Sequence, residues 1–508
     1  MSGSKNISAR ATTGDASKDD ITMSCTFLNT RPYILAILWS ALYFAFFWHL
    51  DFPKPTYDDL FFSGAALNLT YGNDFANPLL DGQRFPSHFY FVHPPIYSYA
   101  LAGWFKLLGV SAASMTGFQA TMYLAITAAT ILILRRFQAP FLLLFLVPLG
   151  VSAGFMTLGL RHDSLAVALT MTGFAIACFQ CRDGAAGFLP FVFLFAGGAT
   201  APRLTLFAGA LTVYVIYQSW CNSRTKRSAR VYFLFSVSSA LLATIMLFIY
   251  LIDFRILEFL ETFHLHMQRL NGSKLHSLAT FLYSGFSQCP ILLLLVFLGV
   301  MFIHHRPAQF LIMCAALSLA FPTMGLIGGL GPGSFWYAVL LVFVLLVALI
   351  PRISRLGQLG LMSGLVFTLV FANGKLFANA IGIVSGKIIT QPSPESRRSV
   401  LATALSAKGS ILLDGSAARY SFDYNLPPNC LNLEYAAPFP GGFPERAQLR
   451  EGDVIVVGPQ TLGYLAGVGY PVKPHSLKWK APGIGRWDFF AYPFEVFVIS
   501  SESCMPAP

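Results

Sequence analysis

Charge is what this sequence has least of. Asp, Glu, Lys and Arg make up 11% of its 508 residues, where soluble domains carry about 25%. A chain so poor in charge cannot clothe a soluble surface, and 55% of it is hydrophobic. Apolar runs of roughly 18 or more residues recur along it, each long enough to cross a bilayer core. The short alternating segments of a β-barrel are absent. The fold class is therefore a polytopic α-helical membrane protein.

Several catalytic signatures are missing as well. There is no zinc-protease pattern, no G-x-S-x-G nucleophile turn and no Rossmann fingerprint in strand context. The glycine-rich stretch at 325–334 lacks the Lys-Ser/Thr of a P-loop and follows no strand, so it reads as a tight outer loop. Of the eight cysteines, Cys178 and Cys181 form C-x-x-C, and no second such pair completes a zinc site. Most of the others lie in or beside apolar segments, where a thiol acts as a small hydrophobe. Cys430 and Cys504 share the C-terminal region, and sequence alone leaves a disulfide there open.

The net charge of +11 raises nucleic acid as a partner, but its distribution argues against that. The cations cluster in short loops: Arg135 and Arg136, then Arg224, Lys226, Arg227 and Arg230, then Arg306, then Arg352 and Arg355. Such clusters mark cytoplasmic loops. Hydropathy gives spans at 32–50, 112–134, 140–159, 164–181, 186–201, 204–220, 231–251, 279–303, 308–327, 334–351 and 357–379, about eleven in all. With the N-terminus inside, every basic loop falls on the cytoplasmic side. The loop 51–111 and the region 390–508 then fall outside.

Three domains follow. Residues 1–31 are polar and read as a disordered cytoplasmic tail. Residues 32–389 form the transmembrane body, with the outer loop 51–111 carrying the active site. Residues 390–508 read as a small soluble α/β domain, with strands expected near 411–415, 432–435, 454–458 and 494–499 and helices near 398–407 and 459–466. Two further helices are expected along the outer surface. One is 94–109, which starts at Pro94-Pro95 and contains Lys106; the other is 253–270, with Phe254, Leu257, Leu260 and Phe263 on one stripe.

The residues able to carry chemistry gather in and around the outer loop. Asp58 and Asp59 open a helical pattern just after the first span. Carboxylates at a bilayer edge are expensive unless solvated or used. One would serve as general base and the other would orient it or hold a cation; alternatively, Asp59 simply caps the helix. Asp74, His88 and His93 follow in the same polar loop. His93 stands at a helix N-terminus, where it would donate to a phosphate or join His88 on a metal. Arg161-His162-Asp163 lies at the outer end of a span, and Arg203 lies between two apolar segments on the same side. The planar fork of Arg suits phosphate, and the competing reading is an arginine facing lipid headgroups. Lys375 sits in the last span, where it either snorkels outward or reaches the cavity.

Taken as a set, these motifs resemble the polyprenyl-phosphate-dependent GT-C glycosyltransferases, in particular the protein O-mannosyltransferase and lipid A aminoarabinose transferase group. The family's Asp-Glu after the first span matches Asp58-Asp59 in Y-D-D-L-F-F. Its Gly-to-Asp-Gly piece resembles Gly72 to Gly82, its His/Lys-Pro-Pro helix resembles His93 to Gly109, and its Arg-x-Asp resembles Arg161 to Asp163. Two positions depart: Asp59 stands where Glu is usual, and Val92 where some relatives carry an acid. The resemblance implies an inverting sugar transfer from a polyprenyl-phosphate donor to a hydroxyl acceptor on a glycan, lipid or protein, outside the membrane. It implies Asp58 and Asp59 as catalytic residues and His93, Arg161 and Arg203 as ligands of the donor phosphate. Asp163, Asp74, His88 and Lys375 would line the cavity for the acceptor. Some relatives use a divalent cation, for which Asp58 and Asp59 supply oxygen ligands. The setting implied is the bacterial inner membrane, surrounded by lipid and without nucleic acid. The alternative is a flippase for lipid-linked saccharides, which predicts inverted repeats and broken helices near midplane.

The topology is directly testable. Reporter fusions at Arg227 and Asp453 are expected on opposite sides of the membrane. Both reporters on one side would overturn the assignment and remove Asp58 from the outer surface.

Overall fold

The computed structural model describes residues 31–50, 52–53, 58–77, 89–156, 160–183, 185–223, 227–269, 294, 307–320 and 336–385, four strands beyond them, and helix backbone from residue 16. Helices dominate. They are α1 (Ala16–His49), α2 (Asp58–Thr70), α3 (Ile96–Leu108), α4 (Ala112–Arg136), α5 (Phe141–Phe155), α6 (His162–Asp183) and α7 (Phe188–Thr200). Then come α8 (Thr205–Asn222), α9 (Arg227–Leu251), α10 (Ile256–Arg269), α11 (Pro307–Ala320), α12 (Val339–Leu349), α13 (Arg355–Ala372) and α14 (Gly374–Val384).

Among the described residues, six helical segments are long and apolar enough to cross a membrane: Arg31–His49, Ala112–Arg136, His162–Cys181, Pro202–Asn222, Arg227–Leu251 and Arg355–Ala372. Shorter apolar helices at 141–155, 188–200, 309–318 and 336–347 fall where further spans are expected, and another covers 374–384. This is an integral membrane protein. The expected span 279–303 and the helices near 398–407 and 459–466 lie outside the described residues.

Two expectations change. The stretch 1–31, read as a disordered tail, is helical from Ala16 onward, because α1 extends the first span back through residues that carry no helix breaker before Pro32. The expected single span 357–379 is two helices, α13 and α14, which meet at Asn373. The cause is the Asn373 carboxamide. Its Nδ2 donates to Leu369 O at 2.8 Å within α13 and to Leu149 O at 2.9 Å in α5. Its Oδ1 accepts from Ser152 Oγ at 2.7 Å, and Ser152 lies 2.8 Å from the Tyr43 hydroxyl. With Ser152 donating to Asn373, Tyr43 is left as the donor to Ser152. All three residues are buried, so α1, α5 and the α13–α14 junction share one polar chain.

Close approach between α6 and α7 is built on glycine. A Cβ on Gly197 of α7 would lie 2.2 Å from Thr170 Oγ1 and 2.9 Å from Ala166 O, both on α6. A Cβ on Gly173 of α6 would lie 2.7 Å from Pro190 O of α7. Each helix thus presents a bare patch to the other, as expected where packing rather than water drives helix association.

A second apolar cluster forms a cap beside the first. Phe62, Ala65 and Ala66 of α2 pack with Phe91, with Tyr97, Leu101 and Phe105 of α3, and with Met115 and Phe118 of α4. Two tryptophans from different helices hold the head of α4: Trp48 Nε1 of α1 donates to Ala113 O at 3.0 Å and Trp104 Nε1 of α3 to Ser114 O at 2.9 Å. Ser111 caps α4, accepting from Ser114 N at 3.0 Å. Helix α10 adds Phe259 to the cluster while Leu257 and Leu260 stay exposed, consistent with a helix lying along a membrane surface.

The remaining described residues form a four-stranded sheet in the order β2-β1-β3-β4, with strands Ile411–Leu413 (β1), Leu431–Asn432 (β2), Val454–Val457 (β3) and Glu495–Val498 (β4). β1 runs parallel to β2 and β3, and β4 is antiparallel to β3. Each strand falls at or beside a stretch read as a strand from its β-branched and aromatic run.

Gly197→Ala tests the helix contact. The added methyl meets backbone as well as a side chain, so it is expected to cost roughly 1–3 kcal/mol. Thermal unfolding in detergent measures it, and an unchanged midpoint would show that α6 and α7 are free to separate.

Candidate functional site

The two apolar clusters meet along a seam. Leu160 and Leu165 belong to the cap cluster, whereas Ala166 and Tyr337 belong to the main helical body. Between them, at the first turn of α6, stands Asp163, whose side chain is 0% exposed. A lone carboxylate in such a place costs several kcal/mol or more, so it must be paired.

The pairing is bidentate. Arg203 Nε donates to Asp163 Oδ1 at 2.7 Å and Nη2 donates to Oδ2 at 2.5 Å. The planar guanidinium matches the carboxylate fork in a way that lysine cannot. Arg161 Nε lies 3.2 Å from Oδ2, so a second cation flanks the same carboxylate. Two guanidiniums thus face one buried carboxylate. Arg203 reaches this position because Pro202–Leu204 forms a short 3-10 turn between α7 and α8. The amino ends of α6 and α8 therefore both open at the cluster, and their dipoles add to its positive potential. Arg203 Nη1 makes no hydrogen bond to the described residues.

Neighbouring polar groups hold the turn. Ser164 Oγ lies 2.8 Å from Gln119 Oε1 and 2.9 Å from Arg161 O, and Gln119 Nε2 donates to Arg161 O at 3.4 Å. Gln119 is buried on α4, so the Arg161–Asp163 turn is fixed from the neighbouring helix.

Other expected site residues are distributed as follows. His93 stands half-buried just before Pro94-Pro95, in ring contact with Phe62 and His162. Asp74 is on an exposed turn, where its carbonyl and carboxylate accept from Asn68 Nδ2 at 3.0 and 3.2 Å. Lys375 is half-buried in the first turn of α14, beside Asn373. Asp58 and Asp59 open α2, and Phe62 follows Asp58 by one helical turn; their own side chains, like His88, lie outside the described residues. Among the described residues no group of three or more His, Cys, Asp or Glu is placed to hold a metal.

Tyr337 is a site residue that the sequence did not reveal. Its ring stacks on Phe155 at 4.3 Å and 12°, and its buried hydroxyl has no hydrogen-bond partner among the described residues. The charges that act on it are those of Asp163, Arg161 and Arg203. In F-W-Y-A-V-L it looks like an ordinary interfacial aromatic, and only the fold brings it to the cluster.

Two solved structures share this architecture: ArnT from Cupriavidus metallidurans bound to undecaprenyl phosphate, and the same protein in the apo state. Both align with a TM-score of 0.50 at 13% sequence identity, covering 94% and 93% of this chain and 99% of theirs. The chain has the ArnT fold. ArnT is a lipid A aminoarabinose transferase of the GT-C class, so the resemblance read from the outer-loop motifs is matched at the level of fold. No protein-family model matches the sequence, and no curated protein matches it.

Arg203→Ala leaves Asp163 buried with Arg161 alone. Removing one member of a buried pair typically costs ~3–5 kcal/mol. The unfolding midpoint in nanodiscs is expected to fall, and adding Asp163→Asn to be partly restorative. Strictly additive losses would show that the two side chains do not act as a pair.

Proposed function

We propose that this protein is an inverting glycosyltransferase that takes a sugar from a polyprenyl-phosphate donor and passes it to a hydroxyl acceptor at the outer face of the membrane. The observation that carries the reading is the Arg161–Asp163–Arg203 cluster, in which two guanidiniums meet one buried carboxylate at the head of two membrane helices. An anion is the natural ligand of such a site. In the ArnT fold the anion that fits is a lipid phosphate: one of the two similar structures holds undecaprenyl phosphate.

In this reading the prenyl tail stays in the bilayer and the phosphate meets Arg203 and Arg161, with His93 alongside. Asp58 takes the proton of the acceptor hydroxyl. That oxygen attacks the anomeric carbon from the face opposite the phosphate, and the bond from carbon to phosphate oxygen breaks. Polyprenyl phosphate leaves with the electron pair, and the guanidiniums stabilise the charge that develops on it. Asp163 takes no proton in this scheme; its work is to aim Arg203. No step is routed through a metal. The N-terminus is cytoplasmic, residues 390–508 form an outer domain, and the setting is a bacterial inner membrane. The acceptor is a glycan, lipid or protein hydroxyl.

The test is transfer by purified protein in nanodiscs from a short-chain polyprenyl-phosphate sugar. Asp58→Asn is nearly isosteric and is expected to abolish turnover while leaving donor binding in place. Near-normal turnover in that variant moves the base to another residue. Transfer from a nucleotide sugar with no lipid carrier present overturns the donor class, and lipid-linked sugar crossing the bilayer without transfer supports the flippase.

A further inference from the structure

His162 lies between the two residues that make the charged cluster, yet it takes no part in the pairing. Its side chain is 5% exposed. Its Nδ1 is buried and has no hydrogen-bond partner among the described residues. Its Nε2 is 3.9 Å from Asp163 Oδ1, beyond hydrogen-bond reach. A histidine retained for proton transfer or hydrogen bonding would engage at least one nitrogen.

What His162 does engage is its ring. The centroids of His162, Phe62 and His93 form a triangle with sides of 4.7, 4.8 and 5.1 Å, and the ring planes are tilted by 36–39°. Each ring comes from a different segment. Phe62 is one turn after Asp58 on α2, His93 stands just before Pro94-Pro95 at the head of α3, and His162 starts α6. Edge contacts brace the triangle from outside, with Tyr97 against Phe62 at 5.8 Å and Tyr90 against His93 at 5.9 Å. Tyr97 is in turn held by Phe118 of α4 at 5.7 Å. Aromatic pairs at such separations are directional as well as apolar, so the triangle fixes orientation as well as distance.

We infer that His162 is a positioning residue acting through ring packing, which holds the Asp58 end of α2 in register with the Asp163–Arg203 fork. This rests on the transferase reading of the site. It predicts that a six-membered ring without nitrogens replaces the imidazole, because the imidazole nitrogens make no hydrogen bond among the described residues. A displacement of about 1 Å of reacting groups can cost on the order of 100-fold in rate, so loss of the ring is expected to act on turnover before binding.

Three variants in nanodiscs test it, read by kcat, by donor KM and by the thermal shift that undecaprenyl phosphate induces. His162→Phe is expected to keep kcat within about two-fold of wild type, with an unchanged pH profile and an unfolding midpoint equal or higher. His162→Ala is expected to lower kcat by tenfold or more while donor KM moves less than threefold. Phe62→Ala is expected to give a similar loss, and His162→Ala with Phe62→Ala little more than either alone, since coupled neighbours are non-additive. If His162→Phe falls as far as His162→Ala, the nitrogens act and the proposal is overturned. Full activity in His162→Ala overturns it equally. If the wild-type protein transfers no sugar, the transferase reading fails separately; the ring triangle is then judged by the unfolding midpoint. A midpoint lowered in His162→Ala, kept in His162→Phe and lowered little further by adding Phe62→Ala sustains it, and equal falls in Ala and Phe reject it.

Discussion

A carboxylate at zero exposure on the seam between two apolar clusters is the constraint around which this end of the molecule is arranged. Asp163 is tolerable there because Arg203 meets both of its oxygens and Arg161 flanks one of them. That requirement explains the short turn after α7, which delivers Arg203, and the Gln119–Ser164 bonds that hold the Arg161 carbonyl. It also explains why α6 and α8 begin at the same place. The glycine contacts let α7 lie close against α6, so its C-terminal end delivers Arg203 beside the first turn of α6. Close packing of the membrane body and pairing of one charge are thus two aspects of a single geometry.

Much of the architecture was legible in the sequence, for physical reasons that differ by element. Long apolar runs announce membrane helices because a bilayer admits little else. The α3 surface helix was readable from Pro94-Pro95, Lys106 and a one-sided apolar face. Three of the four strands contain β-branched residues, and all four fall at or beside stretches bounded by turn residues. The break at Asn373 was not readable, since an asparagine in an apolar run signals nothing until its partners on α5 are known. The helical start at Ala16 was missed because polar composition was weighed above the helix that follows it.

The site divides in the same way. Arg161, Asp163 and Arg203 were singled out individually, because charge near a membrane boundary is conspicuous. Their pairing was not, because forty residues separate Arg203 from Asp163 and no local pattern links them. It changes the meaning of Arg203, from a lone phosphate ligand to a guanidinium already oriented by a buried acid. Tyr337 and the packing role of His162 were invisible for the opposite reason. Both are ordinary residues in ordinary surroundings along the chain, and only the folded neighbours make them unusual.

The hydrogen-bonded chain from Tyr43 through Ser152 to Asn373 has a consequence for the order in which the protein is assembled. Tyr43 and Ser152 lie 109 residues apart and enter the membrane early in synthesis. Asn373 joins them 221 residues after Ser152. Until then the two hydroxyls can bond only to each other and to nearby backbone, so α1 and α5 are held by a partial contact that still tolerates sliding. The late carboxamide supplies two donors and an acceptor at once, and in lipid it has nowhere else to place them. Asn373 therefore works as a closing latch: the first helices take their final register only when the thirteenth has arrived.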